Sequence, residues 1–420
     1  MNRNGLDGRL SIRVLYIHHA GAFGGASRSL LELIEGFPPG SVTPRLVSQR
    51  GSVARIFAER GIEVVKAAGI SQFDNTRFNH YRGRRWIVLL REAYYLPFTL
   101  LAILRARSRW KDIDLVHANE VVALAAVFFA KFLFRRPVIV HVRSVQDTRH
   151  DRLRSRFIWR VLRRYADTVI AIDETVRRSL PPRVAAEVVH NTYSPRSDRT
   201  EASPADPQLP PRSPGSLRVA MVGSPFAFKG VTEFVEAAHL CRERGLAVEF
   251  LMVGISAGEK RGNVKRLLKA AGFTHDAGDE VRRQVELLGL KDSVHLLGFT
   301  PDIDRVFRNI DVLCFPSHLD AVGRPVIEAA FWKVPSIVAV RDPQPDTMIH
   351  RKTGLCIEPG DPQAIAEAVS YFCLNRSEVT RMGAAAHRLA LENFDSRKNA
   401  ARVLDIYLRA LAANSAKGPP

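Results

Sequence analysis

The sequence predicts an α/β protein of two doubly wound domains that face a common cleft. Three observations lead there. Short β-branched runs alternate with amphipathic segments of roughly 10–15 residues, the pattern of βαβ units on a parallel sheet. The length, 420 residues, exceeds one ordinary core and suits two domains of roughly 200 residues each. Near the middle the alternation stops: residues 194–216 hold six prolines and five serines without periodicity, the composition of a linker. The expected organisation is a first domain over residues 1–195, a linker over 196–216 and a second domain over 217–395. Residues 396–420 are expected to form a terminal helix packing back toward the first domain, with a loose tail.

The elements follow in order. Ile12 to His18 is a β-branched apolar run, AGAFGGASRS a glycine-rich loop, and Leu30, Leu31, Leu33 and Ile34 mark a helix. RLVSQRGS, the helical VARIFAERG and the strand GIEVVKA repeat the theme. IDLVHAN, an apolar helix from Val121 to Phe134 and PVIVHV form a third unit; ADTVIAID, ETVRRSL and AEVVHN form a fourth. Beyond the linker come LRVAMVG, the helix GVTEFVEAAHLCRERG and the strand VEFLMVG. Further strands are SVHLLGF, DVLCFP, PSIVAV and TGLCIEP. A last helix begins at Asp361-Pro362, a capping residue followed by proline at the first helical position. Residues 256–283 are polar and longer than their connection needs, and are read as an excursion.

Composition removes several classes. With 46% hydrophobic and 25% charged residues, the chain is neither disordered, collagenous nor coiled coil. Four widely spaced cysteines without a CxxC pair argue against a disulfide framework or a cysteine zinc site. The opening residues lack the apolar core and cleavage site of a signal peptide, so a cytoplasmic location is expected. The net charge is +19, of which residues 1–195 carry +16 and the remainder +3. Such asymmetry suggests a polyanionic partner: nucleic acid, an anionic membrane or a phosphorylated substrate.

In open parallel sheets, ligands sit outside the carboxyl ends of the strands, and the distinctive residues fall in those loops. Gly24-Gly25 opens a helix directly after the first strand, where backbone N–H groups and the positive helix end can meet an anion. Taken alone, a glycine pair is a turn, and the GxGxxG fingerprint is missing. Lys229, before another helix, can hold a diphosphate as a point charge, or be a solvated loop lysine. In DVLCFPSHLDAVGRPVIEAAFWKVPSIVAV a loop carries His318, Asp320 and Arg324, and Glu328 lies in the following helix. Two carboxylates eight residues apart can address a polyhydroxyl ligand; the plainer alternative is an exposed acid plus a capping or salt-bridge glutamate. His141 and Arg143 follow the strand VIV, and either can face a phosphate or an acceptor hydroxyl. His117 alternates with buried strand positions and reads as structural.

These segments resemble, in order, the family-four retaining glycosyltransferases of GT-B fold, whose two domains are Rossmann-like. GGASRSLLELIEGF is similar to their GGAERxLLEL opening, and VGSPFAFKGVTEFVEAA to VGRLxxxKGxxxLLEA. HLLGFTPDIDRVFRNIDVLCFPSHLDAVGRPVIEAAFWKVPSIV resembles LGxxxDVxxxLxxADVFVxPSxxEGFGxVxxEAMAxGxPVI. TGLCIEPGDPQAIAEAV resembles NGxLVxPGDxxALAxAI, and VVHNTYSP stands in the place of VIPNGVD. The resemblance spans nearly the whole chain and is strongest from Val294 to Val369.

The resemblance implies a transferase that uses a nucleotide-diphosphate sugar, retains the anomeric configuration and needs neither metal nor other cofactor. By position, Glu328 holds the ribose hydroxyls and Asp320 takes the place of the first acid of the E-x7-E pair, which contacts the transferred sugar. Lys229 matches the diphosphate lysine, Gly24 and Gly25 the loop beneath the phosphates, and His318, Gly323 and Arg324 the donor loop. Fixed cations and N–H dipoles there lower the barrier as charge grows on the departing diphosphate. The chain also departs from the pattern. Ser224 stands where the family usually has a diphosphate arginine, which Arg324 could replace. Arg143 stands where many members have a histidine near the reacting centre, and Asp320 is one methylene shorter than glutamate.

For the acceptor, residues 86–104 form an apolar run flanked by Arg82, Arg84, Arg85, Arg105, Arg107 and Arg109, and interrupted by Arg91 and Glu92. Charges at a membrane centre cost of order 2.5–3.5 kcal/mol each, so an interfacial helix is expected rather than a spanning one. RHDRLRSRFIWRVLRR adds seven arginines against one acid. Two function classes result. One is an enzyme moving a sugar onto a lipid-linked or envelope glycan acceptor at the cytoplasmic face of an anionic membrane. The other is a non-catalytic protein of the same fold that binds a nucleotide-sugar or polyanion. Nucleic acid is disfavoured because no recognition motif accompanies the charge.

Overall fold

The computed structural model describes residues 11–76, 88–149, 152–195, 209–255, 277–300 and 302–416. Arg82, Arg84, Arg85 and Trp86, linker residues 196–208 and most of the excursion, 256–276, lie outside the described residues. The chain divides into two compact units, residues 1–194 with 394–420, and residues 195–393.

The first unit carries a seven-stranded sheet in the order β3-β2-β1-β4-β5-β6-β7. Its strands are β1 Ile12–His18, β2 Val42–Gln49, β3 Glu63–Ala67, β4 Leu115–Ala118, β5 Val138–Val142, β6 Thr168–Ala171 and β7 Glu187–Val188. All pairings are parallel. Alternation along β1 sends Leu15 and Ile17 to one face and Val14 and Tyr16 to the other. Helices α3 Val88–Arg109, α4 Leu124–Phe134 and α5 Leu153–Tyr165 bury the first face. Helices α1 Gly25–Gly36 and α2 Ser52–Glu59 cover the second. With both faces covered, the central strands read as unbroken apolar runs. A short helix, α6 Glu174–Arg178, precedes β7.

The second unit has six parallel strands in the order β10-β9-β8-β11-β12-β13. They are β8 Leu217–Val222, β9 Val248–Val253, β10 Val294–Leu297, β11 Val312–Phe315, β12 Ser336–Ala339 and β13 Gly354–Ile357. One face is covered by α7 Val231–Glu243, α8 Gly278–Leu287 and α11 Pro362–Leu374, with Phe234 edge-on to Phe250 at 5.3 Å. The other packs on α9 Ile303–Phe307 and α10 Arg324–Phe331. Two further helices follow, α12 Arg376–Asn393 and α13 Ser396–Ala416. In α13, Ala400, Val403, Ile406, Tyr407 and Ala410 recur at helical spacing and join the core of the first unit beside α1.

Several elements differ from the sequence reading. The helix expected from Val121 begins with a 3-10 turn, Val121–Ala123, because the Glu120 carboxylate accepts the Val121 N–H at 2.9 Å. The run over 86–104 extends as helix to Arg109 with Pro97 inside it. The end of the polar excursion is helical from Gly278, since Val281 and Val285 reach the core. The helix starting at Asp361-Pro362 is not the last; α12 follows at once, burying Met382, Ala385, Ala386 and Ala390. Among the described residues, no helix is long and apolar enough to cross a membrane.

Candidate active site at the carboxyl ends of the strands

Strand order reverses once in each sheet, between β1 and β4 and between β8 and β11. Such reversals open a crevice at the carboxyl ends of the two strands concerned. The sequence-predicted residues cluster at these two places.

In the second unit, the loop after β8 and the loop after β11 lock together. The Phe228 carbonyl accepts the His318 N–H at 2.9 Å and the Ser317 hydroxyl at 3.3 Å. Gly230, at φ +76°, lies against the Pro316 carbonyl, where any Cβ would overlap. Gly323 caps α10 and presses on the Phe315 ring, again leaving no room for a side chain. Lys229 places its ammonium 5.2 Å from the centre of that same ring and 5.5 Å from that of Phe228. Each cation–π contact contributes roughly 0.5–1 kcal/mol. Burial lowers the Lys229 pKa from its ordinary value, and no carboxylate lies within ion-pair distance among the described residues. A half-buried cation with aromatic walls and no counter-charge is suited to an incoming anion.

Glu328 is buried one turn into α10 and accepts the Arg324 Nε–H at 2.6 Å. Arg324 is therefore engaged by a carboxylate four residues along its own helix. Asp320 takes a left-handed conformation, φ +54°, uncommon outside glycine. Its carboxylate is gripped by Arg341, through the backbone N–H at 2.8 Å and Nη1 at 3.1 Å. His318 Nε2 lies 2.7 Å from Glu233 Oε1 in the first turn of α7. Ser224 is exposed, with its carbonyl accepting the Phe226 N–H at 2.8 Å.

In the first unit, Gly24 caps α1 and Gly25 is its first residue, both exposed. Behind them the His18 ring meets the Ser27 hydroxyl at 2.8 Å and Asn119 at 2.9 Å. Asn119 also donates to the Ala26 carbonyl at 3.1 Å and accepts Arg143 Nε–H at 2.6 Å. Arg143 donates further to Asn191 Oδ1 at 2.6 Å and to His141 Nδ1 at 3.3 Å. Asn119 thus ties the guanidinium to the glycine loop.

His141 does not follow its strand, as the sequence reading had it: it lies within β5, buried. Burial, aided by the Arg143 charge, drives its pKa well below the ordinary value and does the same to His117, down to about 3. His117 is bonded to the Tyr407 hydroxyl at 2.7 Å and is structural. Glu120, also buried, is raised to about 7 by desolvation, against the hydrogen bond from the Ser144 hydroxyl.

Sequence reasoning missed Asn119, Asn191, Arg341 and Glu233. The first two end the strands LVHA and AEVVH, where a terminal asparagine was visible as a signal. Nothing local marks Arg341 or Glu233, which act across loops. Among the described residues, no group of three His, Cys, Asp or Glu side chains stands close enough to hold a metal ion.

Comparison with known proteins agrees with this layout. Residues 206–389 match the family Glycosyl transferases group 1, and residues 23–195 match Glycosyltransferase Family 4. The chain is 24% identical over 178 residues to the capsular polysaccharide biosynthesis glycosyltransferase CapM of Staphylococcus aureus, 42% of either chain. It is 22% identical over 333 residues to the MMP alpha-(1->4)-mannosyltransferase of Mycolicibacterium hassiacum, 75% of either chain. Relative to the first of these, the chain matches about two fifths of the length. Among solved structures, Anabaena Alr3699/HepE in complex with UDP and glucose superposes with a TM-score of 0.69 at 18% identity, covering 94% of this chain and 99% of that one. Sucrose-phosphate synthase from Thermosynechococcus elongatus gives 0.66 at 16% identity, covering 96% and 100%. With a family match in each unit, in the right order and on two parallel sheets, the chain belongs to the group 1 glycosyltransferases of GT-B fold.

Proposed function

We propose that the chain transfers a sugar from a nucleotide-diphosphate donor to a lipid-linked or envelope glycan acceptor, retaining the anomeric configuration and using no metal ion. The observation that carries this reading is Lys229, a half-buried ammonium between two aromatic rings with no carboxylate at ion-pair distance among the described residues, next to a loop whose following helix buries Glu328. In this reading Glu328 accepts the ribose hydroxyls; a carboxylate has acceptor capacity beyond its bond to Arg324. Lys229 faces the diphosphate and stabilises the charge that grows on it, while the leading N–H groups at Gly24 and Gly25, in the first unit, are of the kind that meets an anion. Asp320, fixed by Arg341, addresses the transferred sugar, and Arg143 lies at the acceptor side. The UDP bound by the Anabaena neighbour and the capsular polysaccharide biosynthesis named for the staphylococcal relative support the donor and acceptor classes.

The test is a panel of nucleotide-sugars, scored for slow hydrolysis and for calorimetric binding, in chelator. Turnover of one donor with an axial or equatorial product matching the donor's own configuration supports the reading. A non-catalytic role is favoured by one feature, the engagement of Arg324 by Glu328 in a chain that has Ser224 where a diphosphate arginine is usual. Tight donor binding without turnover on any acceptor would select it.

A further inference from the structure

The helices α3, α4 and α5 lie side by side on one face of the first sheet, and their inner sides are accounted for by the core. Their outer sides are not. Leu90 is 69% exposed, Tyr94 64%, Phe132 56%, Leu153 83% and Phe157 54%. The apolar surface is continuous from α4 to α5: the Phe128 and Phe132 rings lie 4.7 Å apart, and Tyr165 packs on them at 5.2 and 5.7 Å. Between these side chains stand exposed arginines, among them Arg105, Arg156, Arg160, Arg163 and Arg164. The one carboxylate in the three helices, Glu92, is buried and paired with Arg91.

A solvated face would intersperse charges of both signs and few large apolar groups. This face has one sign of charge and leaves leucine, phenylalanine and tyrosine in water, as interaction surfaces do. The combination narrows the partner. A nucleic acid would match the guanidinium groups but leave Leu90, Leu153 and Phe132 hydrated. An anionic bilayer meets both needs: its phosphate layer takes the arginines, and the acyl boundary a few ångströms deeper takes the apolar side chains. We propose that the α3–α4–α5 face is the surface by which this protein rests on an anionic lipid bilayer. The inference goes beyond sugar transfer and does not depend on it.

The experiment is sedimentation of the full chain with vesicles of phosphatidylcholine alone and with rising fractions of phosphatidylglycerol, at low and high salt. Binding is expected to rise with the anionic fraction and to fall with salt to a residual level, the residue coming from apolar insertion. Each arginine near such a surface is worth about fivefold in binding, so R160E/R163E should lower binding more than twentyfold. F132S/L153S should remove the salt-resistant part. Unfolding temperature and nucleotide affinity should match the parent in both variants, since none of these residues belongs to the donor loops. Equal sedimentation with neutral and anionic vesicles, parental binding by R160E/R163E, or complete displacement by single-stranded RNA would overturn the proposal, the last in favour of a nucleic-acid surface.

Discussion

Replacing Lys229 by methionine separates function from stability more cleanly than any other change in the donor loops. A unit charge about 4 Å from a phosphate oxygen, at an effective dielectric of about 20, interacts by about 4 kcal/mol. The diphosphate is anionic before reaction, so only part of this acts on the barrier. If the charge that develops on bond cleavage draws on half of it, the barrier rises by about 2 kcal/mol, or about thirtyfold in kcat. The fold should respond in the opposite sense. The ammonium sits between Phe228 and Phe315 at a cost in hydration that lowers its pKa. Methionine keeps the length and makes favourable contacts with both rings. K229M should therefore unfold at the parental temperature or above it. The sign in pH follows as well. The penalty for holding the charged form applies below the folded pKa and is lifted as pH rises toward the ordinary value of 10.5. Activity that needs the ammonium should thus fade at lower alkaline pH than an ordinary lysine would dictate. The assay is initial-rate kinetics with the cognate donor, beside thermal unfolding. A K229M protein that keeps parental kcat, or loses several degrees of stability, would refute both the assigned role and the electrostatic reasoning.

Three other predictions follow from the same geometry. Glu328→Gln should weaken nucleotide affinity by about 1.5–3 kcal/mol, since a buried charged acceptor is lost; calorimetric titration with parental affinity would remove Glu328 from the donor site. Gly230→Ala should cost at least about 1–2 kcal/mol for the left-handed backbone alone, plus the overlap with the Pro316 carbonyl, and should lower donor affinity by shifting Lys229; denaturant unfolding with and without nucleotide measures both. Stability of the first unit should fall as pH drops from about 6.5 toward 4. Folded His19 and His117 stay neutral down to about 4 and 3 while the unfolded chain protonates, so each contributes about 1.4 kcal/mol per pH unit across its window. Glu120, near 7 in the fold, acts oppositely with a single proton. A flat stability profile between pH 6.5 and 4, or an unaltered slope in His19→Gln, would contradict this account.

The sequence exposed the sheets well because strands buried on both faces are short continuous apolar runs, and loops between them begin and end in glycine, proline or asparagine. It marked the loops after β8 and β11 too, since Lys229, Gly323 and the Asp320–Glu328 spacing are local. It was weaker where the determinant lies far along the chain. Helix α12 was overlooked because its buried side is mostly alanine and glycine, giving little periodic contrast. His141 was placed one step too far out, as its burial beside His117 on the α13 side of the sheet cannot be read from VIVHV alone. Arg341 holds Asp320 from 21 residues away, and Arg324 is turned from a free cation into a partner of Glu328 by helical spacing that the sequence contained but that competed with the motif. The first of these is a tertiary contact; the second is local but reads the same as a donor-loop arginine in the motif.

The closing helix has a consequence for how the chain is made. Tyr407 is fully buried in the first unit, where its hydroxyl reaches Tyr16 and His117. A ribosome delivers residues 195–393 as an uninterrupted stretch, but it delivers the last wall of the opening unit some two hundred residues after that unit's seventh strand. During synthesis the nascent amino-terminal sheet therefore waits with that face covered by α1 and α2 alone and with Tyr16 and His117 lacking Tyr407, while the later unit can already close. Chaperone capture of the ribosome-bound intermediate, and release on emergence of α13, would be the observable sign of that inverted order.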